Sequence, residues 1–152
     1  MKDGLRRPVS LLAVWLVGLI AGLLVGTAID HHRLRVLDAA AWTMARQSID
    51  GVFSKLLPWW WNLTLLLLFL AAYLNRGRAR WLFLSGGILL LFGIVITVAI
   101  EVPINKQIAS WTSATVPGNW MELRERWLSF HNVRSAAGVL AFICALLANE
   151  KS

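Results

Sequence analysis

A carboxylate, an amide, an imidazole and a guanidinium recur in the second half of this chain, as Glu101, Asn105, His131 and Arg134. A carboxylate and an imidazole can exchange protons, and an amide beside a guanidinium can hold an oxyanion, so the set suits acid–base work on an apolar substrate. One helical turn rises ~5.4 Å, so Trp127, His131, Arg134 and Gly138 fall on one face, where Trp127 can line the same pocket. Asp30, His31 and His32 add further donors. With Glu101 and His131 they offer imidazole and carboxylate ligands from three helices, which suits copper or iron, with Asp38 in reserve. His31 or His32 with His131 would also supply two axial ligands to a haem. Adjacent helical residues point ~100° apart, so at most one of His31 and His32 easily faces a shared interior. The plainest alternative involves no chemistry: a Glu101–Arg134 ion pair, with His131 hydrogen-bonded beside it, ties two helices together. Residue types and spacing leave all of these readings open.

The elements that must position these groups are membrane helices. Hydrophobic residues make up 58% of the 152, and four apolar runs stand out: 9–29, 56–74, 81–100 and 127–148. A helix rising ~1.5 Å per residue needs about 20 residues to cross ~30 Å of hydrocarbon, so each run suffices. The first follows Lys2, Arg6 and Arg7, as a signal peptide would, but it is longer than the ~7–15 residues of a cleavable core and is expected to stay as a helix. The expected fold is all-α, a single membrane domain over 1–152 built as a four-transmembrane-helix bundle.

The net charge of +7 does not mark a nucleic-acid binder, because the basic residues flank apolar runs and form no stripe with stacking aromatics. They report topology instead. Lys2, Arg6, Arg7, Arg76, Arg78, Arg80 and Lys151 crowd three short segments, while six of the eight acids lie in the two long connections. Both termini and the 75–80 link are therefore expected on the cytoplasmic side of a bacterial inner membrane, with the polar groups in the outer half. The Trp59, Trp60 and Trp61 cluster then belongs to an outer aromatic belt. Cys144 is a lone cysteine in an apolar run, which excludes an internal disulfide framework or a CxxC redox pair.

Gly18, Gly22 and Gly26 recur every four residues and predict a packing face on the first helix. Leu34, Leu37, Ala41, Ala45, Ile49, Phe53 and Leu56 keep helical spacing with Arg35, Arg46, Asp50 and Lys55 elsewhere. This predicts a separate amphipathic helix between helices 1 and 2, lying on or dipping into the outer face. Asp38 and Asp50 read as solvated partners of Arg35 and Arg46. Pro58 would open helix 2, and Pro103 would kink or end helix 3.

The run Glu101, Val102, Pro103, Ile104, Asn105, Lys106, Gln107 and Ile108, followed by Trp111, Pro117, Trp120, Leu123, Arg124, Arg126 and Trp127 and then Phe130, His131, Asn132, Val133, Arg134 and Ser135, resembles the second half of the anthrone-oxygenase-like family. Arg46 and Gln47 through Pro58 resemble its segment before helix 2. The likeness spans most of residues 20–148 and is most specific between Glu101 and Arg134. It implies a small four-helix membrane monooxygenase that oxidises an activated aromatic methylene with dioxygen, without flavin or nicotinamide; the chain likewise carries no dinucleotide fingerprint. The expected function is thus an integral-membrane oxygenase acting on a hydrophobic, aromatic small molecule. His131 would be ligand or base, Glu101 ligand or proton acceptor, and Asn105, Arg134 and Trp127 would bind the substrate. Expected partners are that lipophilic molecule, dioxygen and the bilayer, and a homo-oligomer is compatible with the sequence. The alternative from another class is a non-catalytic membrane subunit or small-molecule permeability protein.

Overall fold

The computed structural model describes residues 2–150, with side chains from Gly4 onward; Lys151 and the side chain of Lys2, both used in the charge argument, lie outside the described residues. Helix α1 spans Lys2–Arg33, and a 3₁₀ turn at Leu34–Val36 leads to α2, Ala39–Leu74. Helix α3, Gly77–Ile96, passes through a π-helical turn, Thr97–Glu101, into α4, Val102–Ala109; after a loop, α5 spans Trp120–Asn149. The described residues contain no strand. Four continuous helical stretches of 33, 36, 33 and 30 residues have apolar windows of mean hydropathy 2.5, 1.5, 2.6 and 1.5, each long and apolar enough to span a bilayer. The chain is an integral membrane protein.

The stretches pack as an up-and-down bundle in which α5 lies against α1 and α3, and α2 against the same two. Ala71, Ala72, Ala137, Ala141, Ala145 and Ala148 fill the interior, and large side chains such as Leu12, Trp15, Leu66 and Ile88 face outward. This inversion suits a lipid solvent, where close approach of small residues gives the helix contacts and apolar bulk costs nothing at the surface. The α2–α3 reversal takes only Asn75 and Arg76, and Gly77 makes it possible with φ +57°, a backbone conformation that side chains disfavour.

Several expectations are corrected. The amphipathic stretch is not a separate helix: it is the first half of α2, which runs unbroken through Pro58. Asn62 donates to the Pro58 carbonyl at 2.7 Å, and Ser54, whose carbonyl loses its partner to the proline, lies on the exposed side. Pro103 does not end helix 3 either. The widened turn before it, closed by Val102 N–H donating to the Thr97 carbonyl, makes room for the ring, and the helix continues to Ala109. Of the three spaced glycines in α1, only Gly18 is packed, against the Phe142 ring, while Gly22 and Gly26 face open space. Asp38 does not pair with Arg35. It caps α2 by accepting from Ala41 N at 2.8 Å, and Arg35 pairs with Glu125.

Candidate functional site

The connections at 34–38 and 110–119 lie at the end of the bundle opposite the α2–α3 reversal, and the polar residues gather below them. His131 on α5 is wholly buried, Glu101 is 1% and Arg134 6% exposed. Arg134 pairs with the Glu101 carboxylate. It also donates to Thr97 Oγ1 at 2.8 Å and to His131 Nδ1 at 2.6 Å. An acceptor at Nδ1 leaves the ring proton on Nε2, which donates to the Leu24 carbonyl of α1 at 3.0 Å. Both nitrogens of His131 are thereby engaged. Glu101 keeps one oxygen, Oε1, without a hydrogen-bond partner among the described residues, 3.6 Å from His131 Nδ1.

The local chain explains why the carboxylate reaches across. The π turn places Glu101 at its last position, so the residue order advances by one against a regular helix and α4 is turned with it. Gly93, one turn before Thr97, gives Arg134 its passage, because a Cβ there would lie 3.3 Å from Arg134 Cγ and 3.6 Å from the Trp61 ring.

A second polar layer sits one turn further along α4. Arg46, 4% exposed, donates to Asn105 Oδ1 at 2.8 Å and lies 3.5 Å from Asp50, while Asn105 Nδ2 donates to Asp50 at 3.0 Å. The Arg46 guanidinium rests 4.3 Å from the Trp127 ring centroid, a cation–π contact inside the bundle. Trp127 stacks on both His131 and His31, at 4.7 and 4.4 Å between centroids.

Between the layers lies a cavity of about 420 Å³ with walls from all four helical stretches. Leu24, Phe53, Leu57, Trp61, Ile94 and Val98 give it an apolar lining; Arg46, Asp50, Glu101, Asn105, Lys106, Trp127 and Arg134 give it charged and polar edges. That size and mixture fall within the roughly 300–1,000 Å³ of small-molecule sites.

The structure therefore brings Glu101, Asn105, Trp127 and Arg134 to one cavity wall and sets His131 behind Glu101 and Arg134, outside that wall. His31 is buried, its Nδ1 donating to the Thr27 carbonyl at 2.9 Å, whereas Asp30 and His32 are exposed and Asp30 faces Arg33. Glu101 and His131 lie side by side and the His31 ring is 6.2 Å from that of His131, while Asp30 and His32 stay outside; among the described residues no three His, Cys, Asp or Glu side chains are grouped to hold a metal ion. Both His131 nitrogens, the ligand on α5 in the copper, iron and two-histidine haem readings, are here taken up by Leu24 and Arg134.

Arg46, Thr97, Trp61 and Gly93 were not singled out in the sequence as site residues. The signals were faint: an arginine four residues before an aspartate, a threonine one turn before a glutamate, and a tryptophan whose neighbours Trp59 and Trp60 are exposed as an interfacial belt requires. Over residues 51–144, more than half of its length, the chain matches the family model described as anthrone oxygenase. That stretch includes Trp61, Thr97, Glu101, Asn105, Trp127, His131 and Arg134, and leaves out His31 and Arg46. No curated protein and no solved structure matches the chain.

Proposed function

The chain belongs to the anthrone oxygenase family, and from that premise we propose that it is a membrane oxygenase which converts an activated methylene of a lipophilic aromatic substrate to a carbonyl. The observation that carries this reading is a buried carboxylate–guanidinium pair, Glu101 with Arg134, on the wall of a cavity otherwise suited to fused rings, with one carboxylate oxygen not taken up in a hydrogen bond among the described residues. The reaction balances without an added reductant: one atom of dioxygen becomes the carbonyl oxygen, and the other leaves as water with both methylene hydrogens. Its difficult step for the protein is removal of the first C–H proton, which yields an enolate or phenolate able to give an electron to dioxygen.

Glu101 is the base in this proposal. As the proton moves to Glu101 the carboxylate loses its charge, and Arg134, already held against it, is left to balance the new oxyanion. Asn105, one turn on, offers its amide to the same oxygen. Trp127 and Trp61 hold the ring system. His131 touches Arg134 rather than the cavity, so it is a positioning residue that fixes the guanidinium from behind.

The scaffold reading also has an observation in its favour, since Arg134 with Glu101, Thr97 and His131 binds three helical stretches together whatever else it does. Oxygen uptake by the protein in nanodiscs, with an anthrone-like phenol as substrate, separates the two. One dioxygen consumed per carbonyl formed is expected, with a loss of about 100-fold in Glu101→Gln. His131→Gln, which can accept from Arg134 and donate to Leu24, is expected to keep most turnover, while His131→Leu lowers kcat with KM little changed. No uptake by the wild-type chain, or full turnover in Glu101→Gln, would return the cluster to a scaffold.

A further inference from the structure

The cavity wall is not electrically neutral. Three cations line it, Arg46, Lys106 and Arg134, against two carboxylates, Asp50 and Glu101. Glu101 is committed to Arg134. Asp50 is shared, 3.5 Å from the Arg46 guanidinium and accepting from Asn105 at 3.0 Å. Lys106 makes no ion pair among the described residues, and Arg46 Nε is buried with no hydrogen-bond acceptor. A buried guanidinium that is not fully hydrogen-bonded and a lysine without an ion-pair partner among the described residues thus line the same cavity, a turn of helix beyond Glu101.

A further feature places polar space at the same point. A smaller cavity of about 350 Å³ is lined by Arg46, Gln47, Asp50, Ser54, Asn105 and Ala109, among others. Arg46, Asp50, Ser54, Asn105 and Ala109 also line the larger one, so the two meet across the Arg46–Asn105 hydrogen bond.

We infer that Arg46 and Lys106 form an anion-recognition pole, and that the substrate is an aromatic acid carrying an ionised carboxylate or acidic phenolate in addition to its reacting carbon. The rings lie against Leu57, Trp61 and Ile94, the anionic group accepts from the Arg46 guanidinium and Lys106 Nζ, and the reacting carbon falls beside Glu101. Asp50 and Asn105 hold the Arg46 guanidinium in place. The inference rests on the substrate site proposed above and adds the charge of its ligand. It involves no bond change.

The test is direct binding, which needs no turnover. Anthracene-9-carboxylate and anthracene-9-carboxamide share a ring system and differ in charge, and energy transfer from tryptophan reports either one in nanodiscs of neutral lipid. The carboxylate is expected to bind about tenfold or more tightly than the carboxamide. Lys106→Gln, at an exposed position, should lose most of that preference, and Lys106→Glu should reverse it. Arg46→Gln should do the same where it purifies folded. Lys55→Gln makes an equal charge change off the cavity wall and should leave the preference intact. Equal binding of the two probes by wild type, or an undiminished preference in Lys106→Glu, overturns the inference. Charge preference without any oxygen uptake would uphold the pole while the oxygenase reading fails; uptake with a neutral phenol and no charge preference would do the reverse.

Discussion

Glu101 and Arg134 are buried charges of opposite sign, and each makes the other's burial tolerable. Removing one leaves the other in the bundle without a counter-charge, which costs roughly 3–5 kcal/mol, whereas removing both with side chains of similar volume is far milder. Glu101→Gln and Arg134→Met are therefore each expected to lower the thermal midpoint in detergent clearly, and the double variant to recover most of the loss without recovering turnover. Additive losses would show that the two charges do not depend on one another. This pairing was legible in the sequence, because a carboxylate and a guanidinium entering the same half of a membrane bundle have few other partners. The roles around it were less so. Whether His131 faces a cavity or the back of an arginine depends on which ring nitrogen meets the Leu24 carbonyl, a contact 107 residues away along the chain.

At the scale of elements, the decisive device is the π turn at Thr97–Glu101. Pro103 cannot donate to the carbonyl four residues back and its ring crowds that carbonyl, so a regular helix here would be strained. Widening the turn removes the crowding and rotates everything beyond it by about 100° relative to an uninterrupted α-helix. That rotation carries Asn105 to Arg46 and Glu101 to Arg134. Pro103→Ala restores the missing donor and permits a regular helix. The expected result is a thermal midpoint equal to or above wild type together with slower oxygen uptake and weaker binding of the anthracene probes. A variant with unaltered binding and turnover would show that the bulge is not what aims these side chains. The proline announced a break in the sequence, but not its form. Termination, a kink and a π turn all relieve the same clash, and the choice is made by the packing of Ile104 and Ile108, which bury against Trp42 and Trp127 and draw the helix onward.

Over the whole molecule, helix length governs where the site sits. The four apolar runs made the spans legible, since 19 to 22 uncharged or nearly uncharged residues have few other uses. Their continuations were not legible, because Arg35, Arg46, Asp50 and Lys55 suggest a surface helix, while the structure makes that segment the upper half of α2. At ~1.5 Å per residue, α2 is ~54 Å long against ~30 Å of hydrocarbon, so one end of the bundle stands in the interfacial region. The cavity lies toward that end, at a depth a lipid-soluble substrate reaches from the membrane and an ionised group tolerates. The opposite end carries Arg7, Arg76, Arg78 and Arg80, all exposed, and a dense basic cluster of this kind is retained in the cytoplasm. The cavity end is therefore expected to face outward. In a Cys144→Ala background, a membrane-impermeant maleimide added to intact cells should label Gly118→Cys, on the far loop, and spare Arg78→Cys until the membrane is permeabilised. Labelling of Arg78→Cys alone in intact cells would invert the bundle and place the Glu101 cavity on the cytoplasmic side.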